Sequence, residues 1–262
     1  MVGARCVYYL APLNYLLVLS DSLVLIPTYN EKENIEKIIR KVFSLTHVFH
    51  ILVIDDGSPD GTADIVKQLQ GEFAGKLYLE ERAGKQGLGT AYIYGFKWAL
   101  KHEYEYIFEM DADFSHNPKD LIQLREACIN GADLAIGSRY IKGVNVVNWP
   151  MSRVLMSYFA SVYVRFITGI PIQDATAGFK CYRRIVLETI ELNKIKFVGY
   201  AFQIEMKFTA LQHGFNVVEV PIIFTDRTEG TSKMSTRIFR EAFLGVIQLK
   251  INSWFRKYKK HK

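Results

Sequence analysis

The sequence predicts an α/β fold in which a mostly parallel sheet is covered by helices on both faces. Short, fully apolar runs alternate along the first half of the chain with segments whose apolar residues recur at helical spacing. Strands that are apolar on both faces are typical of a parallel sheet buried between helices. Polar clusters follow these runs, and the carboxyl ends of parallel strands form the edge where ligands bind. The pattern therefore predicts the fold and also the edge that carries its site.

The first half of the chain supplies the predicted parallel strands and the helices between them. Each apolar run has the length of a buried strand, and most are followed by a segment with helical spacing. Asn30 is expected to cap the first helix, and the fourth is expected to begin near Pro118, because these residue types are favoured at helix starts. The predicted strands are residues 23–26, 51–54, 77–79, 106–110 and 134–136.

The second half of the chain has a different character. Residues 152–168 are predicted to form a long apolar and aromatic helix, and residues 238–254 an amphipathic one. Strands are expected at 178–182 and 217–223, with a helix at 202–212 between them. No internal repeat or low-complexity linker separates the halves, so we expect a single domain.

The predicted domain spans residues 22–250, between an apolar N-terminal extension at 1–21 and a basic tail at 251–262. Residues 7–19 form an apolar run that is too short to cross a bilayer and lacks the features of a cleaved signal. This run is expected either to dip into a membrane surface or to precede the folded core. Residues 254–262 carry five Lys or Arg and no acid, a composition that suits anionic lipid headgroups or phosphates. The alternative is a solvated chain end.

Composition limits the function without identifying it. The 262 residues, 49% of them apolar, are enough for one large domain with a substantial core. The 33 basic and 27 acidic residues give a net charge of +6, a mild bias that points to no particular partner, and no nucleic acid is expected. The three cysteines contain no CxxC pair, which favours a reducing compartment and argues against a zinc site.

Asp111 and Asp113 are the most informative residues of the chain. They follow the apolar run 106–110, and because side chains alternate along a strand, both are expected to point to one spot beyond its end. Two hard oxygen ligands with room for more suit a Mg²⁺ or Mn²⁺ ion that also holds substrate phosphates. The pair therefore indicates a metal-assisted transferase that uses a diphosphate-bearing donor. The alternative is a solvated turn after a buried strand.

The ends of the first two predicted strands also carry polar residues. Tyr29 and Glu31 follow the first strand and Asp56 the second, so that a ring and carboxylates are placed to stack on a nucleobase and bind its ribose. Asp55, Asp56 and Asp60 lie among turn-forming residues and are also expected to do turn chemistry. We expect both roles, with at least one of these aspartates contacting the ligand.

Cations follow three other predicted elements. Arg82 and Lys85 precede a glycine-rich helix start, which favours phosphate, although an ordinary flexible loop has the same composition. Arg139 follows the strand at 134–136, and Arg227 and Lys233 lie in a Gly/Ser/Thr-rich loop. Each of these cations alone would be read as a solvated surface charge. Their predicted convergence near two acidic residues favours binding of phosphates.

Six motifs taken together resemble those of polyprenyl-phosphate mannose synthases. These enzymes are inverting GT-A glycosyltransferases of glycosyltransferase family 2, related to dolichyl-phosphate mannose synthase. The resemblance covers about residues 22–250 and implies a GT-A, Rossmann-like fold. The motifs are IPTYNE at 26–31, DDGSPDGT at 55–62, GLGTAY at 87–92, DADFSH at 111–116, GSRY at 137–140 and DRTEGTSK at 226–233.

The resemblance also implies roles for individual residues. Asp113 would be the principal metal ligand beside Asp111, and Asp113 and Arg139 the residues that carry catalysis. Ser115 occupies a position where some relatives place a Gln metal ligand, so a third ligand from the protein is in doubt. The guanosine of GDP-mannose would be held by Pro27, Tyr29, Glu31, Ile54 and Asp56, the donor and metal by Asp111, Ala112 and Asp113, the donor diphosphate by Arg227 and Lys233, and the acceptor phosphate by Arg139, Arg153 and Lys233.

The implied acceptor, a polyprenyl phosphate, makes a general base unnecessary. A phosphomonoester has a second pKa of about 6, so at neutral pH it is largely a nucleophilic dianion. In-line attack on the anomeric carbon would invert its configuration, and no His or Glu base is predicted. Alternatives are transfer from a UDP-sugar such as UDP-glucose, or nucleotide-sugar binding without turnover.

The lipid acceptor further implies peripheral contact with the cytoplasmic face of a membrane. The helices at 152–168 and 238–254, together with the basic tail, would supply an interfacial surface. The alternative for these helices is a core helix and a closing helix. The sequence indicates no particular oligomeric state.

Overall fold

The computed structural model describes residues 20–226 and 236–260, and most of the predicted N-terminal extension lies outside them. The strands and helices alternate as predicted in the first half of the chain. The elements are β1 (Ser22–Thr28), α1 (Ile35–Phe43), β2 (His50–Asp55), α2 (Thr62–Glu72), β3 (Leu77–Glu81), α3 (Leu88–Lys101), β4 (Tyr106–Glu109), α4 (Asp120–Ile129), β5 (Leu134–Ser138), β6 (Val146–Val147), α5 (Met151–Thr168), β7 (Lys180–Arg183), α6 (Arg184–Thr189), a 3₁₀ turn at Leu192–Lys194, α7 (Tyr200–His213), β8 (Val217–Pro221), β9 (Phe224–Thr225) and α8 (Thr236–Phe255).

A seven-stranded sheet in the order β3-β2-β1-β4-β7-β5-β8 forms the centre of the molecule. β1 pairs in parallel with β2 and β4, and β2–β3 and β5–β8 are parallel as well. β7 lies antiparallel between β4 and β5. The predicted mostly parallel sheet is therefore confirmed. β6 and β9 form a separate two-stranded pair beside it.

The sheet is buried on both faces because its strands alternate their apolar side chains between two cores. Leu25 of β1 faces the core under α3 and α7, whereas Val24 faces the core under α1, α2 and α4. Each such side chain is fully buried, which contributes about 1.5–3 kcal/mol to stability. Gly95 lets α3 approach closely, since a Cβ there would lie 2.8 Å from Ile54 and 2.9 Å from Leu25.

The predicted cap at Asn30 is wrong. Helix α1 begins at Ile35, with Asn34 at its N-cap. Asn30 lies earlier, in a turn with φ of 56°, a left-handed conformation that Asn tolerates better than most residues. Its backbone N–H donates to Ser58 Oγ at 2.9 Å, which ties the end of β1 to the end of β2. Asn30 therefore shapes the ligand edge of the sheet and does not start the helix.

Candidate active site

A cavity of about 460 Å³ lies at the carboxyl ends of β1, β2, β4 and β5. This is the edge at which the polar clusters were predicted to meet. Among the described residues to which the family resemblance assigns a role, Ile54 does not line the cavity, and its side chain is buried against Gly95 of α3. Arg227 and Lys233 lie outside the described residues. The predicted residues that do line the cavity are Pro27, Tyr29, Glu31, Asp56, Asp111, Ala112, Asp113, Arg139 and Arg153.

The aspartates after β2 divide between turn chemistry and the cavity. Asp55 accepts hydrogen bonds from the Thr28 and Ser58 hydroxyls at 2.8 and 2.6 Å, and Asp60 accepts one from the Thr62 hydroxyl at 2.6 Å. These carboxylates fix the loop between β2 and α2. Asp56, in contrast, lines the cavity. Of the three, Asp56 is thus the one placed to contact a ligand.

Arg82 does not have the phosphate-binding position that its sequence context favoured. Its guanidinium is largely buried and donates through Nε to Asp56 Oδ1 at 2.7 Å and through Nη1 to Thr90 Oγ1 at 3.0 Å. It therefore holds Asp56 in place and links it to the start of α3. Lys85 does line the cavity, with its ammonium nitrogen 5.1 Å from the centre of the Tyr29 ring.

The loop after β4 leaves the Asp111 carboxylate partly exposed and buries the Asp113 carboxylate. The side chain of Asp111 is 41% exposed, whereas Asp113 is buried and accepts a hydrogen bond from the Ser115 backbone N–H at 3.1 Å. The Asp111 backbone N–H donates to His116 Nδ1 at 3.2 Å, so the His116 proton is assigned to Nε2. Phe114 takes a left-handed conformation, with φ of 59°, at the tip of this loop.

His116 is a buried, neutral wall of the cavity. Its ring stacks on Phe179 with 4.7 Å between ring centres. Burial lowers the pKa of His116 to about 4, although the nearby Asp113 carboxylate opposes the shift. The imidazole is therefore neutral at physiological pH and only weakly basic.

The donor set at Asp111 and Asp113 fits a hard divalent cation that shares its coordination with a ligand. Within residues 20–226 and 236–260, no group of three or more His, Cys, Asp or Glu side chains is placed to hold a metal ion. The Ser115 hydroxyl, buried beside Asp113, has no hydrogen-bond partner among the same residues and offers one further oxygen. Two carboxylates leave coordination positions for phosphate oxygens or water, as Mg²⁺ and Mn²⁺ sites commonly do.

Arg139 is a buried cation framed by aromatic rings. It donates to Asp174 through Nε at 2.7 Å and through Nη2 at 2.6 Å, and Nη2 also reaches Thr176 Oγ1 at 2.8 Å. Burial alone would raise the pKa of Asp174, but the Arg139 guanidinium holds it below its usual range. The guanidinium carbon lies 5.5 Å from the ring centres of both Trp149 and Phe224.

Arg153, at the start of α5, forms a second arginine–carboxylate pair in the cavity. Its Nη1 lies 2.8 Å from both carboxylate oxygens of Asp226, and its guanidinium carbon is 4.2 Å from the centre of the Trp149 ring. An arginine has five N–H donors, so it can keep a carboxylate partner and still donate to a phosphate. Arg139 and Arg153 thus share Trp149 and the same cavity.

A buried polar network that the sequence did not predict lies beneath the cavity. Glu109, the last residue of β4, accepts hydrogen bonds from the Tyr182 hydroxyl and from Gln203 Nε2, each at 2.8 Å. Its carboxylate lies 3.1 Å from the Lys180 ammonium, which also donates to Gln203 Oε1. Burial lowers the pKa of Lys180, while Glu109 opposes that shift. The sequence does contain a signal for this network, because strands β4 and β7 each carry a charged residue at a buried position, Glu109 and Lys180, and a buried charge requires a partner.

Helices α5 and α8 pack together, and each leaves apolar residues exposed. The Tyr163 ring of α5 stacks on Phe243 of α8 with 4.5 Å between ring centres. Phe166 is 85% exposed and Phe255 82% exposed. No helix in the described part of the chain is long and apolar enough to cross a membrane. Other exposed apolar residues on the two helices include Met151, Leu155, Phe159, Leu244, Ile251 and Trp254.

The basic tail folds back onto the protein over its described residues. α8 runs on to Phe255, beyond the predicted domain boundary at residue 250. The Lys260 ammonium donates to the Gln212 carbonyl at 2.8 Å, and His213 Nδ1 lies 2.7 Å from the Lys259 carbonyl oxygen. The tail therefore packs at the C-terminal end of α7, where positive charge is favourable.

Comparison with known proteins places these features among sugar-transferring enzymes. The family described as glycosyl transferase family 2 matches residues 23–191. The polyprenol monophosphomannose synthase of Mycolicibacterium smegmatis is 48% identical over 87% of this chain and 86% of its own. The undecaprenyl-phosphate mannosyltransferase of Micrococcus luteus is 43% identical over 86% of this chain and 91% of its own.

Solved structures share the fold at low sequence identity. Glucosyl-3-phosphoglycerate synthase from Mycobacterium tuberculosis superposes with a TM-score of 0.64 at 14% identity, over 87% of this chain and 79% of that one. The mannosyltransferase PcManGT from Pyrobaculum calidifontis, solved in complex with GDP-Man and Mn²⁺, gives a TM-score of 0.56 at 17% identity, over 92% and 66% of the two chains.

Proposed function

Because the chain belongs to glycosyltransferase family 2, as its six motifs predicted, we propose that it transfers mannose from GDP-mannose to the phosphate of a polyprenyl phosphate. One observation carries the proposal: a single cavity is lined by the acidic pair Asp111 and Asp113 and by the two arginines Arg139 and Arg153. Two relatives support it: the polyprenol monophosphomannose synthase at 48% identity and the undecaprenyl-phosphate mannosyltransferase at 43%.

The donor nucleotide is assigned to the part of the cavity formed after β1 and β2. Tyr29 offers a ring for the guanine base, and Glu31 and Asp56 offer carboxylates for base or ribose N–H and O–H groups. Asp111 and Asp113 would hold Mg²⁺ or Mn²⁺, which supplies positive charge to the diphosphate leaving group when bound. The mannosyltransferase solved with GDP-Man and Mn²⁺ supports this choice of donor and metal.

The reaction is a displacement at the anomeric carbon of mannose. An oxygen of the acceptor phosphate attacks that carbon as the bond to the donor diphosphate breaks, so GDP leaves and the configuration inverts. The acceptor is largely a dianion at neutral pH and needs no proton removed. His116, neutral and weakly basic, suits a wall of the site better than a general base.

The arginines lower the cost of bringing two anions together. Arg139 and Arg153 both line the cavity, and each can donate to phosphate oxygens while it keeps its carboxylate partner. Asp174 and Asp226 hold the two guanidinium groups in fixed positions before the acceptor arrives. Such preorganised charge is a large contribution to catalysis in transfer reactions.

The lipid part of the acceptor is assigned to a membrane surface contacted by α5 and α8. Arg153, in the first turn of α5, lines the cavity, and the helix continues past the exposed Phe166. Helix α8 ends at the exposed Phe255. Apolar and aromatic residues beside basic ones are typical of helices that lie in the interfacial region of a bilayer. We place the protein at the cytoplasmic face as a peripheral protein, because its cysteines favour a reducing compartment.

The decisive experiment is sugar transfer to a defined acceptor. The enzyme is incubated with polyprenyl phosphate, Mg²⁺ or Mn²⁺, and labelled GDP-mannose, with labelled UDP-glucose in a parallel reaction. Label in the lipid fraction from GDP-mannose is expected. Label from UDP-glucose alone would replace the mannose assignment, and label from neither donor would support nucleotide-sugar binding without turnover.

A further inference from the structure

The amide of Gln203 is fixed in one orientation at the floor of the cavity. Its Oε1 faces the Lys180 ammonium and its Nε2 donates to Glu109, so the positions of the oxygen and nitrogen follow from the charges around them. The residue is only 4% exposed, yet it lines the cavity. Nε2 carries two hydrogens, and Glu109 takes one of them.

Gly178 leaves an open slot beside this amide. A Cβ at residue 178 would lie 3.6 Å from Gln203 Nε2 and 3.8 Å from His116 Cε1. Gly178 has no left-handed φ, so its backbone conformation does not require glycine. The missing side chain instead leaves room next to an N–H donor and an imidazole edge. We call Gly178, Gln203 and His116 the Gly178 slot.

The Gly178 slot connects the metal-binding loop with the arginine side of the site. His116 accepts the backbone N–H of Asp111, and Thr176, two residues before Gly178, accepts from Arg139. His116 and Arg139 also pack against the same Phe224 ring, at 5.6 and 5.5 Å. The slot thus contacts the metal-binding loop directly and is joined to the arginine side through the shared Phe224 ring.

From this placement we infer that the Gly178 slot binds the hexose of the donor and that Gln203 selects it by donating to one sugar hydroxyl. In an in-line displacement the sugar must lie between the departing diphosphate and the incoming phosphate. The diphosphate is assigned to the metal site at Asp111 and Asp113, and the incoming phosphate to the two arginines. A uniquely oriented N–H donor beside an open space suits a hydroxyl oxygen, and the Cε1 edge of His116 bounds that space on another side. The inference rests on the proposed function and adds the residue that distinguishes one hexose from another.

The test combines two substitutions with two matched controls. Gln203→Met removes the amide at similar length, and Gly178→Ala places a methyl group in the slot at ordinary contact distances. Gln123→Met on the exposed side of α4 and Gly71→Ala on α2, where nothing lies within 4 Å of the added Cβ, are the controls. The thermal midpoint of each variant is measured. If Gln203→Met does not fold, Gly178→Ala carries the test alone.

Two measurements separate a sugar contact from a nucleotide contact. The first is the dissociation constant of GDP from the protein in the presence of Mn²⁺, which is expected to stay within about twofold of the wild-type value in all four variants. The second is kcat/KM for GDP-mannose, which is expected to fall about tenfold in both slot variants, equivalent to about 1.4 kcal/mol, and to be unchanged in both controls. A GDP dissociation constant that rises about tenfold in the slot variants would overturn the inference.

Monodeoxy donors identify the contact itself. Wild type is compared with Gln203→Met on GDP-mannose analogues that lack the 2-, 4- or 6-hydroxyl. One analogue is expected to be penalised in wild type and to lose most of that penalty in Gln203→Met, since the partner of the missing hydroxyl is gone. Penalties that stay the same in both proteins for all three analogues would refute the inference.

Failure of the donor assignment is visible separately. If wild type transfers sugar only from UDP-glucose, the proposed donor is wrong, and the same variants are tested with monodeoxy UDP-glucose analogues. Coupling between Gln203 and one hydroxyl would then still support the hexose slot. Absence of coupling with the active donor would refute it.

Discussion

Asp174→Asn tests whether the arginine of the active site is held by a buried ion pair. Asp174 is fully buried and accepts three hydrogen bonds from Arg139, from the backbone N–H at 3.0 Å, Nε at 2.7 Å and Nη2 at 2.6 Å. The substitution keeps the shape of the side chain but removes its charge. It leaves a guanidinium that is largely buried without its carboxylate.

The expected loss of stability is about 3–5 kcal/mol, the range measured when one partner of a buried ion pair is removed. The lower part of this range is expected, because Thr176 and the surrounding rings still contact Arg139. For a domain of this size, each kcal/mol lowers the thermal midpoint by about 2–4 °C. The midpoint is therefore expected to fall by about 6–12 °C.

The measurement is thermal and urea unfolding of wild type, Asp174→Asn and the control Asp64→Asn. Asp64 is exposed and only loosely paired with Lys67, at 3.9 Å, so its substitution is expected to change little. Because Arg139 lowers the pKa of Asp174, the ion pair stabilises the fold above about pH 4 and its contribution is lost as the pH falls below that value. An Asp174→Asn protein as stable as Asp64→Asn at pH 7 would show that the Asp174–Arg139 ion pair does not stabilise the fold.

Three further predictions address the metal, the buried histidine and the membrane surface. Asp113→Asn is expected to lower kcat about 100- to 1000-fold, and to weaken the Mn²⁺ dependence of GDP binding measured by calorimetry. Burial lowers the pKa of His116 to about 4, so the unfolded chain takes up a proton near pH 6.5 that the folded protein excludes. Wild type is therefore expected to lose up to about 3 kcal/mol of stability between pH 6.5 and pH 4. Urea unfolding at several pH values should show a flatter slope of stability against pH in His116→Gln. Replacing Phe166 and Phe255 by Ser is expected to weaken binding to lipid vesicles at least tenfold, because both rings are exposed and each would lose about 1.5–3 kcal/mol of burial in the bilayer.

Each of these predictions has a result that contradicts it. Full activity in Asp113→Asn would exclude the metal assignment. A pH slope that is the same in wild type and His116→Gln would show that His116 is not the group that titrates. Unchanged vesicle binding in the Phe166 and Phe255 double variant would move the membrane contact elsewhere, provided that activity on a short, water-soluble acceptor phosphate shows the variant to be folded.

The sequence was sufficient for features that depend on local pattern and on the logic of parallel sheets. The strands and their carboxyl-end clusters were predictable because a buried parallel strand is apolar throughout and its end faces the ligand edge. Asp111 and Asp113 follow from that rule. The position of Ile54 does not, because an apolar residue at the end of a strand can pack on the core, and here Gly95 of α3 leaves the space for it.

Pairings between distant residues account for what the sequence did not show. Arg82 and Asp56 were both predicted to bind ligand, but Arg82 donates a hydrogen bond to Asp56 between the ends of β3 and β2. The Glu109–Gln203 hydrogen bond joins residues that are 94 positions apart. β7 was expected as a strand, but its antiparallel insertion between β4 and β5 brings Lys180 under the cavity, and no local pattern encodes that register.

The anomeric configuration of the transferred sugar shows whether the acceptor phosphate displaces the donor diphosphate directly. The enzyme, polyprenyl phosphate, a divalent metal and GDP-mannose are incubated, and the lipid product is isolated and its anomeric configuration is determined by NMR. We expect a mannosylated lipid phosphate whose anomeric configuration is inverted relative to the donor, formed by direct attack of the acceptor phosphate. A product with retained configuration, or no transfer to the lipid, would exclude direct displacement by the acceptor phosphate.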